Sequence, residues 1–404
     1  MASNLFQSVF RADAEGVRQC LDTGADTDER GTRQPEKRGD QPGIRNHQGG
    51  SPLTTRRYDR KASSLLFLLS LSFSALAEEP VARYASQRSI GQVSKYPAFA
   101  KMVTSSLTIP GLSEGFVPQG ICRLPGRDWL LFSGYQDDGI QPSPLIAVDA
   151  KTGVITRQAR LRNVEGTVFN LHSGGVTATE KTIYVSVASK LFAMPVETFV
   201  GLPADRLVDC SFTHEIAVPC RASYCGIANG VLWVGEFESG EEFPTDPDHH
   251  TTVDGEELTG WICGYDLRSG EPREPTGGTA IPDYVLRTTN RIQGMTILDG
   301  RIWLSQSYGR RNDSHLLVYK DPRGKAPDDQ IDFGERKVPA WNLSKSERLK
   351  IIEAPPMTEN LCVDDGTILV VFESGATKFV GASRPMDRAY RIAPVFTPKK
   401  EFEP

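Results

Sequence analysis

Four polar side chains stand at corresponding places in a repeated sequence pattern, and they are the first candidates for chemistry in this chain. They are Gln119, His172, Gln293 and Glu359, and each is followed within two residues by a glycine or, after Glu359, by Asn360. Equivalent positions in a closed ring of repeats lie at equivalent radii, so we expect these four groups to converge at one rim. His172 is the candidate catalytic base because imidazole titrates near neutral pH, and Glu359 is the candidate catalytic acid.

A second set of polar side chains lies at the end of the second strand of a repeat or directly after it. The set comprises Glu236, Gln306, Tyr308, Arg310 and Glu373. With Gln119 and Gln293, these residues are the candidates for holding a small polar ligand, and Arg310 suits an anionic group or a surface ion pair. A hydrogen-bonded, water-filled plug that holds the repeats together is the competing interpretation.

The motifs of several enzyme classes are missing from the sequence. No G-x-S-x-G, phosphate-binding loop or H-E-x-x-H occurs, and no residue can be named as a nucleophile. The carboxylates at the rim have the oxygen donors that Ca²⁺ prefers, so calcium is the one cofactor considered, without an assigned metal site. An acidic insertion, 238–257, contains His249 and His250; a metal or lid role is open, and a solvated connection is favoured.

Five segments of the chain share one plan, which predicts the fold. They are PQGICRLPGRDWLLFSGY from Pro118, HSGGVTATEKTIYVSVAS from His172, YCGIANGVLWVGEFES from Tyr224, IQGMTILDGRIWLSQSYG from Ile292 and TENLCVDDGTILVVFESG from Thr358. Three contain Asn-Gly or Asp-Gly pairs that favour type I′ hairpin turns. Recurrence at roughly fifty to seventy residues is typical of propeller blades. We therefore predict an all-β fold over residues 98–396: a β-propeller of antiparallel sheets, with about five blades favoured over six.

Two further motifs carry a resemblance to known proteins. They are Gln306-Ser307-Tyr308-Gly309-Arg310 with Asn312-Asp313-Ser314, and Phe372-Glu373-Ser374-Gly375-Ala376. Over residues 115–391 the chain resembles a group of secreted, bacterial-type propeller proteins of unknown function, and more loosely the lactonase and lyase propellers. The resemblance implies a propeller fold and export, and it implies no established activity.

The first sixty residues do not follow the repeat. Residues 5–30 resemble half of one ankyrin repeat, and a single repeat cannot bury its own apolar face. The polar stretch that follows, up to residue 60, has the composition of a disordered linker. We expect residues 1–60 to be an ankyrin-like fragment and a linker that the fold does not need.

Residues 61–77 have the organisation of a secretory signal. Basic residues precede a short apolar run, which ends at Ala75-Leu76-Ala77. We expect cleavage after Ala77 and a secreted or periplasmic protein, or a membrane-anchored one if the segment is not cleaved. The run is too short to predict a stable membrane span.

Charge and cysteine content narrow the choice of partners. The net charge of −5 and the lack of a long basic stripe exclude nucleic acid as the expected partner. Six of the seven cysteines follow the signal-like segment, which permits disulfides without fixing their pairing. The sequence leaves two functions open. One is an exported binding or scaffold protein that holds a small molecule, saccharide or peptide at its central channel, and the other is a lyase or lactone hydrolase of propeller type.

Overall fold

The structure, a computed structural model, describes residues 93–270, 272 and 278–394. The ankyrin-like fragment, the linker and the signal-like segment lie outside the described residues. The described helices are short: α1 (Pro97–Ala100), α2 (Val196–Val200) and six single turns of 3₁₀ helix. None of the described helices has the length and apolar character needed to cross a membrane.

Strands make up about half of the described chain. In chain order they are β1 (Val103–Thr108), β2 (Phe116–Leu124), β3 (Trp129–Gln136), β4 (Pro144–Asp149), β5 (Ile155–Arg162), β6 (Gly175–Ala178), β7 (Thr182–Val187), β8 (Lys190–Pro195), β9 (Val208–Ser211), β10 (His214–Ala217), β11 (Tyr224–Ala228), β12 (Val231–Gly235), β13 (Thr251–Val253), β14 (Glu256–Leu258), β15 (Gly260–Asp266), β16 (Tyr284–Thr288), β17 (Ile292–Leu298), β18 (Arg301–Gln306), β19 (Ser314–Lys320), β20 (Asp329–Phe333), β21 (Arg336–Asn342), β22 (Arg348–Ala354), β23 (Thr358–Asp364), β24 (Thr367–Phe372) and β25 (Arg388–Ile392).

The strands form a five-bladed β-propeller, which confirms the predicted fold and blade number. From the axis outward, the blades are β2-β3-β4-β5, β6-β7-β8-β10, β11-β12-β15-β16, β17-β18-β19-β22 and β23-β24-β25-β1. The innermost strands β2, β6, β11, β17 and β23 each contact the next one around the ring, and β23 contacts β2. The ring is therefore closed around a central channel.

The fifth blade takes its outer strand from the residues that precede the first blade. Strand β1 pairs antiparallel with β25, so the first of the described strands becomes the outer strand of the fifth blade. Leu107 on β1 is buried with Phe116 and Leu369, in the cluster between the fifth blade and the first. Unfolding either end of the propeller therefore opens the ring.

Each contact between adjacent blades is an apolar cluster, and the repeat supplies the same position to each of them. The third residue of the second strand packs into the cluster shared with the following blade. These residues are Leu131, Tyr184, Trp233, Trp303 and Leu369. All five are buried, and burying a side chain of this size contributes about 1.5–3 kcal/mol.

The hairpin turns follow the sequence prediction. Asn229 and Gly230 both have positive φ, at 53° and 74°, and so do Asp299 and Gly300, at 51° and 66°. Positive φ at both central residues defines the type I′ turn that suits the twist of paired strands. These turns join the first and second strands of the third and fourth blades.

Two connections extend the preceding blade, which the repeat pattern did not predict. Strand β9 lies in the connection between β8 and β10 and pairs parallel with β5 of the first blade. Strands β20 and β21 lie between β19 and β22, and β21 pairs parallel with β16 of the third blade. Both connections cover outer strand edges that would otherwise be open to pairing. The six described cysteines are free thiols, five of them buried, as expected for small core residues.

We predict that the propeller folds without the N-terminal tract but not without β1. A chain beginning at Glu79 should melt within about 2 °C of the full chain. A chain beginning at Ile109 lacks β1, and its transition should fall by about 10 °C or become non-cooperative, because several buried side chains are lost from the ring closure. Scanning calorimetry of the three chains measures this; equal transitions for the Ile109 and Glu79 chains would contradict the assigned closure.

Candidate functional site

The strand-opening residues meet at one end of the channel in a single hydrogen-bonded chain. His172 Nε2 lies 2.6 Å from Gln119 Oε1, and Gln119 Nε2 donates to Glu373 Oε2 at 2.8 Å. The carboxyl group of Glu359 is hydrogen-bonded to that of Glu373, and Gln293 Nε2 lies 3.4 Å from Glu359 Oε1. We call these five residues the mouth cluster. The convergence of the four strand-opening residues is the geometry expected from the repeat, and Glu373 joins them without having been expected there. The roles of all five in catalysis or ligand binding remain predictions.

Local irregularities of the inner strands place these side chains. The pairing of β2 with β3 shifts between Pro118 and Gly120, at Gln119. The pairing of β17 with β18 shifts at Gln293, and that of β23 with β24 shifts across Glu359 and Asn360. A bulge inserts an extra residue and redirects its side chain relative to the regular alternation. Three blades thus use the same device at the same place of the repeat.

The two carboxyl groups of the mouth cluster share a proton near neutral pH. Burial, the negative charge of Glu373 and the hydrogen bond to it raise the pKa of Glu359 well above its usual range. Burial also raises the pKa of Glu373 to about 7, although the amide of Gln119 and the ammonium of Lys378 oppose that rise. Like charges in one site cannot both ionise freely, so Glu359 donates its proton to the Glu373 carboxylate.

His172 is neutral within this arrangement. Desolvation of the imidazole by the surrounding protein and the nearby Lys378 ammonium lower the pKa of His172 to about 4, although the residue as a whole is exposed to solvent. The Gln119 amide donates through its nitrogen to Glu373, so the Gln119 oxygen faces His172. Because that oxygen can only accept, the hydrogen of the neutral imidazole must be on His172 Nε2. His172 Nδ1 is then an acceptor that faces no partner among the described residues.

Two residues beside the mouth cluster were missed by the sequence analysis. The ring of Tyr135 lies 4.5 Å from that of His172, and Lys378 Nζ donates to the Tyr135 hydroxyl at 3.0 Å. Strand pairing makes Tyr135 the counterpart of Glu373, since each directly follows the residue that pairs with the last one before the bulge of its inner strand. Strict alignment of the second strands would have found Tyr135. Lys378 lies in a turn outside the repeat, which leaves no such signal.

Asn360 closes the channel below the mouth cluster. Its side-chain amide donates to the backbone carbonyl of Cys225 at 2.9 Å, and Asn360 is fully buried. Strands β23 and β11 belong to the fifth and third blades, which are not neighbours in the ring, so this bond crosses the channel. Four blades carry a glycine where the fifth carries Asn360, and only its side chain reaches across.

A separate cavity of about 180 Å³ lies on the other side of Asn360. All five blades line it, with Cys122, Thr177, Ile227, Thr296 and Cys362 among the lining residues. At its rim, Arg123 pairs with the buried carboxylate of Asp364 at 2.6 Å. The cavity has a mixed polar and apolar wall. Its thiols are neutral, because burial raises the pKa of Cys122 and Cys362. The titratable groups of the mouth cluster lie outside it.

Glu236 lies apart from this chain of hydrogen bonds and anchors the insertion. Its carboxylate accepts from the backbone amides of Arg221 and Trp261, both at 2.8 Å, and contacts Nδ1 of His249 at 3.0 Å. The His249 ring stacks on Trp261 at 3.7 Å, so part of the insertion packs on the third blade rather than being wholly solvated. The second histidine, His250, contacts the Thr245 hydroxyl, and its Nδ1 lies 3.7 Å from a carboxylate oxygen of Glu257.

The remaining candidates border the mouth in different ways. Gln306 Nε2 donates to the carbonyl of Asn290 at 3.0 Å. The Tyr308 hydroxyl donates to Glu242, so both side chains hold neighbouring loops in place. Arg310 is exposed, with its guanidinium 5.3 Å from the centre of the Phe379 ring. Among the described residues no group of three or more His, Cys, Asp or Glu side chains is arranged to hold a metal ion, and calcium binding stays a prediction.

Comparisons with known proteins place the chain next to two solved structures. It is similar to glutaminyl cyclase of Myxococcus xanthus, with 10% identity and a TM-score of 0.39, over 72% of this chain and 94% of that one. It is also similar to hydrazine synthase of Kuenenia stuttgartiensis, with 12% identity and a TM-score of 0.33, over 64% of this chain and 56% of that one. No protein-family model matches the sequence, and no curated protein does. Neither structural similarity bears on the activity of this chain.

We predict that replacing Asn360 by alanine destabilises the propeller by about 1–3 kcal/mol, because the buried carbonyl of Cys225 loses its side-chain donor. Asn312→Ala is the matched control. Its amide makes a similar bond to the Tyr308 carbonyl but is exposed, so a loss below about 0.5 kcal/mol is expected. Urea unfolding measures both; equal effects would show that Asn360 does not brace the channel.

We predict a pH-dependent stability that traces to the Glu373 carboxyl. Its pKa is raised from 4.5 to about 7, so the folded state binds the proton more tightly than the unfolded chain. The stabilisation from protonation is complete below about 4.5 and is lost as pH rises through about 7. Urea unfolding between pH 4.5 and 8 should show Glu373→Gln gaining stability relative to the unmodified protein across that window. The exposed Glu335→Gln should show no such trend, and a flat difference for Glu373→Gln would refute the shared proton.

Proposed function

We propose that the protein binds a small polyhydroxylated ligand, a saccharide, at the mouth cluster. The observation that supports this most strongly is the chain of five side chains from four blades, which alternates hydrogen-bond donors and acceptors around the channel. A hydroxyl group both donates and accepts hydrogen bonds, so several hydroxyls in a row match such an alternation. The ring of Tyr135, next to His172, adds an aromatic face on which a sugar ring can pack.

Unused hydrogen-bonding atoms support a ligand rather than a closed plug. His172 Nδ1 and Gln293 Oε1 have no partner among the described residues, although Gln119 uses both of its amide atoms. His172 is exposed and Gln293 is half-buried, so solvent or a ligand can approach both side chains. The signal-like segment adds the expectation that this binding takes place outside the cytoplasm, as for an exported receptor or scaffold.

Acid–base catalysis by the carboxyl pair is the second candidate, and the pKa of Glu373 favours it. A carboxyl group with a pKa of about 7 can give up and regain a proton at neutral pH, and Glu359 supplies a second proton beside it. Lyase or lactone-hydrolase chemistry would use Glu373 in this way, with neutral His172 as an acceptor. The two candidates differ in whether the bound molecule leaves unchanged.

We predict that galactose, glucose or N-acetylglucosamine binds with a dissociation constant below about 10 mM, the weak end of specific recognition. Calorimetric titration at pH 7 measures the affinity, and chromatography of the same samples tests whether the sugar, or added glucono-δ-lactone, is converted. Gln293→Leu should weaken binding about tenfold because it removes one amide from the mouth. Gln330→Leu, on an exposed strand, should leave it unchanged. An unchanged sugar affinity in Gln293→Leu would place the ligand outside the mouth cluster. Conversion of the sugar or the lactone would favour the enzyme, and the absence of binding by all three sugars would refute the proposal.

A further inference from the structure

Exposed apolar side chains are concentrated around the mouth. Eight large apolar side chains of the described residues are exposed to solvent, and five of them lie in three connections at the mouth end of the propeller. These five, which we call the apolar rim, are Ile140, Val164, Val168, Leu171 and Val380. Single exposed apolar residues are ordinary, but a majority gathered at one opening is typical of a binding surface.

Hydrogen bonds hold the three connections beside one another. The Asn170 amide donates to the carbonyl of Gly139 at 3.1 Å, which joins the connection after β5 to the one after β3. Thr377 Oγ1 donates to the Asp137 carboxylate at 2.8 Å, which joins the turn before Val380 to the same connection. The apolar rim therefore follows one side of the mouth instead of being spread around the molecule.

The most exposed members of the apolar rim are carried by hydrogen-bonded turns. Ile140 is 76% exposed, although its backbone amide is fixed by the Asp138 carboxylate at 2.9 Å. Val380 is 87% exposed, between the buried Phe379 and a turn in which the Ala382 amide donates to the Phe379 carbonyl at 2.8 Å. Apolar surface that a turn holds in water favours any apolar group that covers it.

The apolar rim continues directly into the mouth cluster. Leu171 precedes His172 in the chain, and the ring of Tyr135 lies 4.5 Å from that of His172. Lys378, two residues before Val380, donates to the Tyr135 hydroxyl at 3.0 Å. A molecule whose hydroxyls meet the mouth cluster therefore has apolar side chains next to it on this side.

From this juxtaposition we infer that the ligand is an amphipathic saccharide, a sugar with a hydrocarbon chain, whose hydroxyls meet the mouth cluster and whose chain lies against the apolar rim. A plain sugar leaves the apolar rim in water. Burying two methylene groups of a chain raises the affinity by about tenfold or more. The inference rests on the proposed saccharide binding and adds an apolar substituent to the ligand.

Methyl and hexyl β-glycosides of galactose, glucose and N-acetylglucosamine are matched probes that differ only in the length of the apolar chain. In calorimetric titrations of the full chain at pH 7, the hexyl glycoside of a sugar that binds should bind at least about tenfold more tightly than the methyl glycoside. Ile140→Ser and Val380→Ser should each reduce the hexyl affinity about three- to fivefold and leave the methyl affinity within about twofold. 1-Hexanol should bind at least about tenfold more weakly than the hexyl glycoside, because it has no sugar hydroxyls for the mouth cluster.

Val154→Ser is the control, because Val154 is also exposed, at 54%, but lies in the turn between β4 and β5 at the opposite end of the first blade. It should change neither affinity, and thermal melts of all variants confirm that they fold. Equal binding of methyl and hexyl glycosides, or an unchanged hexyl affinity in both Ile140→Ser and Val380→Ser, would overturn the apolar substituent and leave saccharide binding standing. If no glycoside binds, the proposed function fails together with the inference.

Two other occupants of the apolar rim are tested with the same variants. Sedimentation with sugar-free phosphatidylcholine vesicles detects a lipid surface, and analytical ultracentrifugation detects a second copy of the chain. We expect neither association. Either one, if it is lost in both Ile140→Ser and Val380→Ser, would assign the apolar rim to that occupant and overturn the inference.

Discussion

The close approach of five inner strands around one axis is the constraint on which the rest of the structure depends. A Cβ atom on Gly175 would lie 2.4 Å from the backbone nitrogen of Cys225, and one on Gly294 would lie 2.5 Å from Asn360 Cα. Real Cβ atoms do not come this near to a neighbouring backbone, so a larger residue would push the blades apart. The glycine of the repeat is therefore required by the width of the ring, and the apolar clusters between the blades can form only at that width.

The same constraint determines where polar groups can stand. Where the repeat glycines meet around the axis, the channel is too narrow for side chains. The residue before the glycine is therefore the last one that can project into the channel, and the bulges at Gln119, Gln293 and Glu359 direct their side chains there. Asn360 is the one departure from glycine among the five inner strands, and its amide takes up the space by crossing to Cys225. Asn360 at this level therefore separates the polar mouth from the cavity on its other side, whose wall is part polar and part apolar.

The sequence predicted what the repeat encodes and missed what lies outside it. The periodicity of the sequence predicts the blade number, the type I′ turns and the convergence of the strand-opening residues, because every blade packs against its neighbours in the same way. Glu236 shares the repeat position of Glu373, but its carboxylate contacts His249 and accepts from two backbone amides, because an insertion covers the third blade. Lys378 and the pairing of β9 with β5 belong to connections, whose course depends on tertiary contacts that no local pattern records.

The mouth cluster lowers the stability of the fold, so a purely structural role does not explain it. The ring is already held by apolar clusters between the blades and by β1, and a channel plug can be built from apolar side chains or a single amide such as that of Asn360. Burying two carboxyls side by side instead requires one of them to keep its proton, and it destabilises the fold as pH rises. Groups retained at such a cost are typical of sites that act on a ligand or a proton. The cations beside them point the same way, since Lys378 and Arg310 favour the ionised state that burial disfavours and leave the pair balanced near neutral pH.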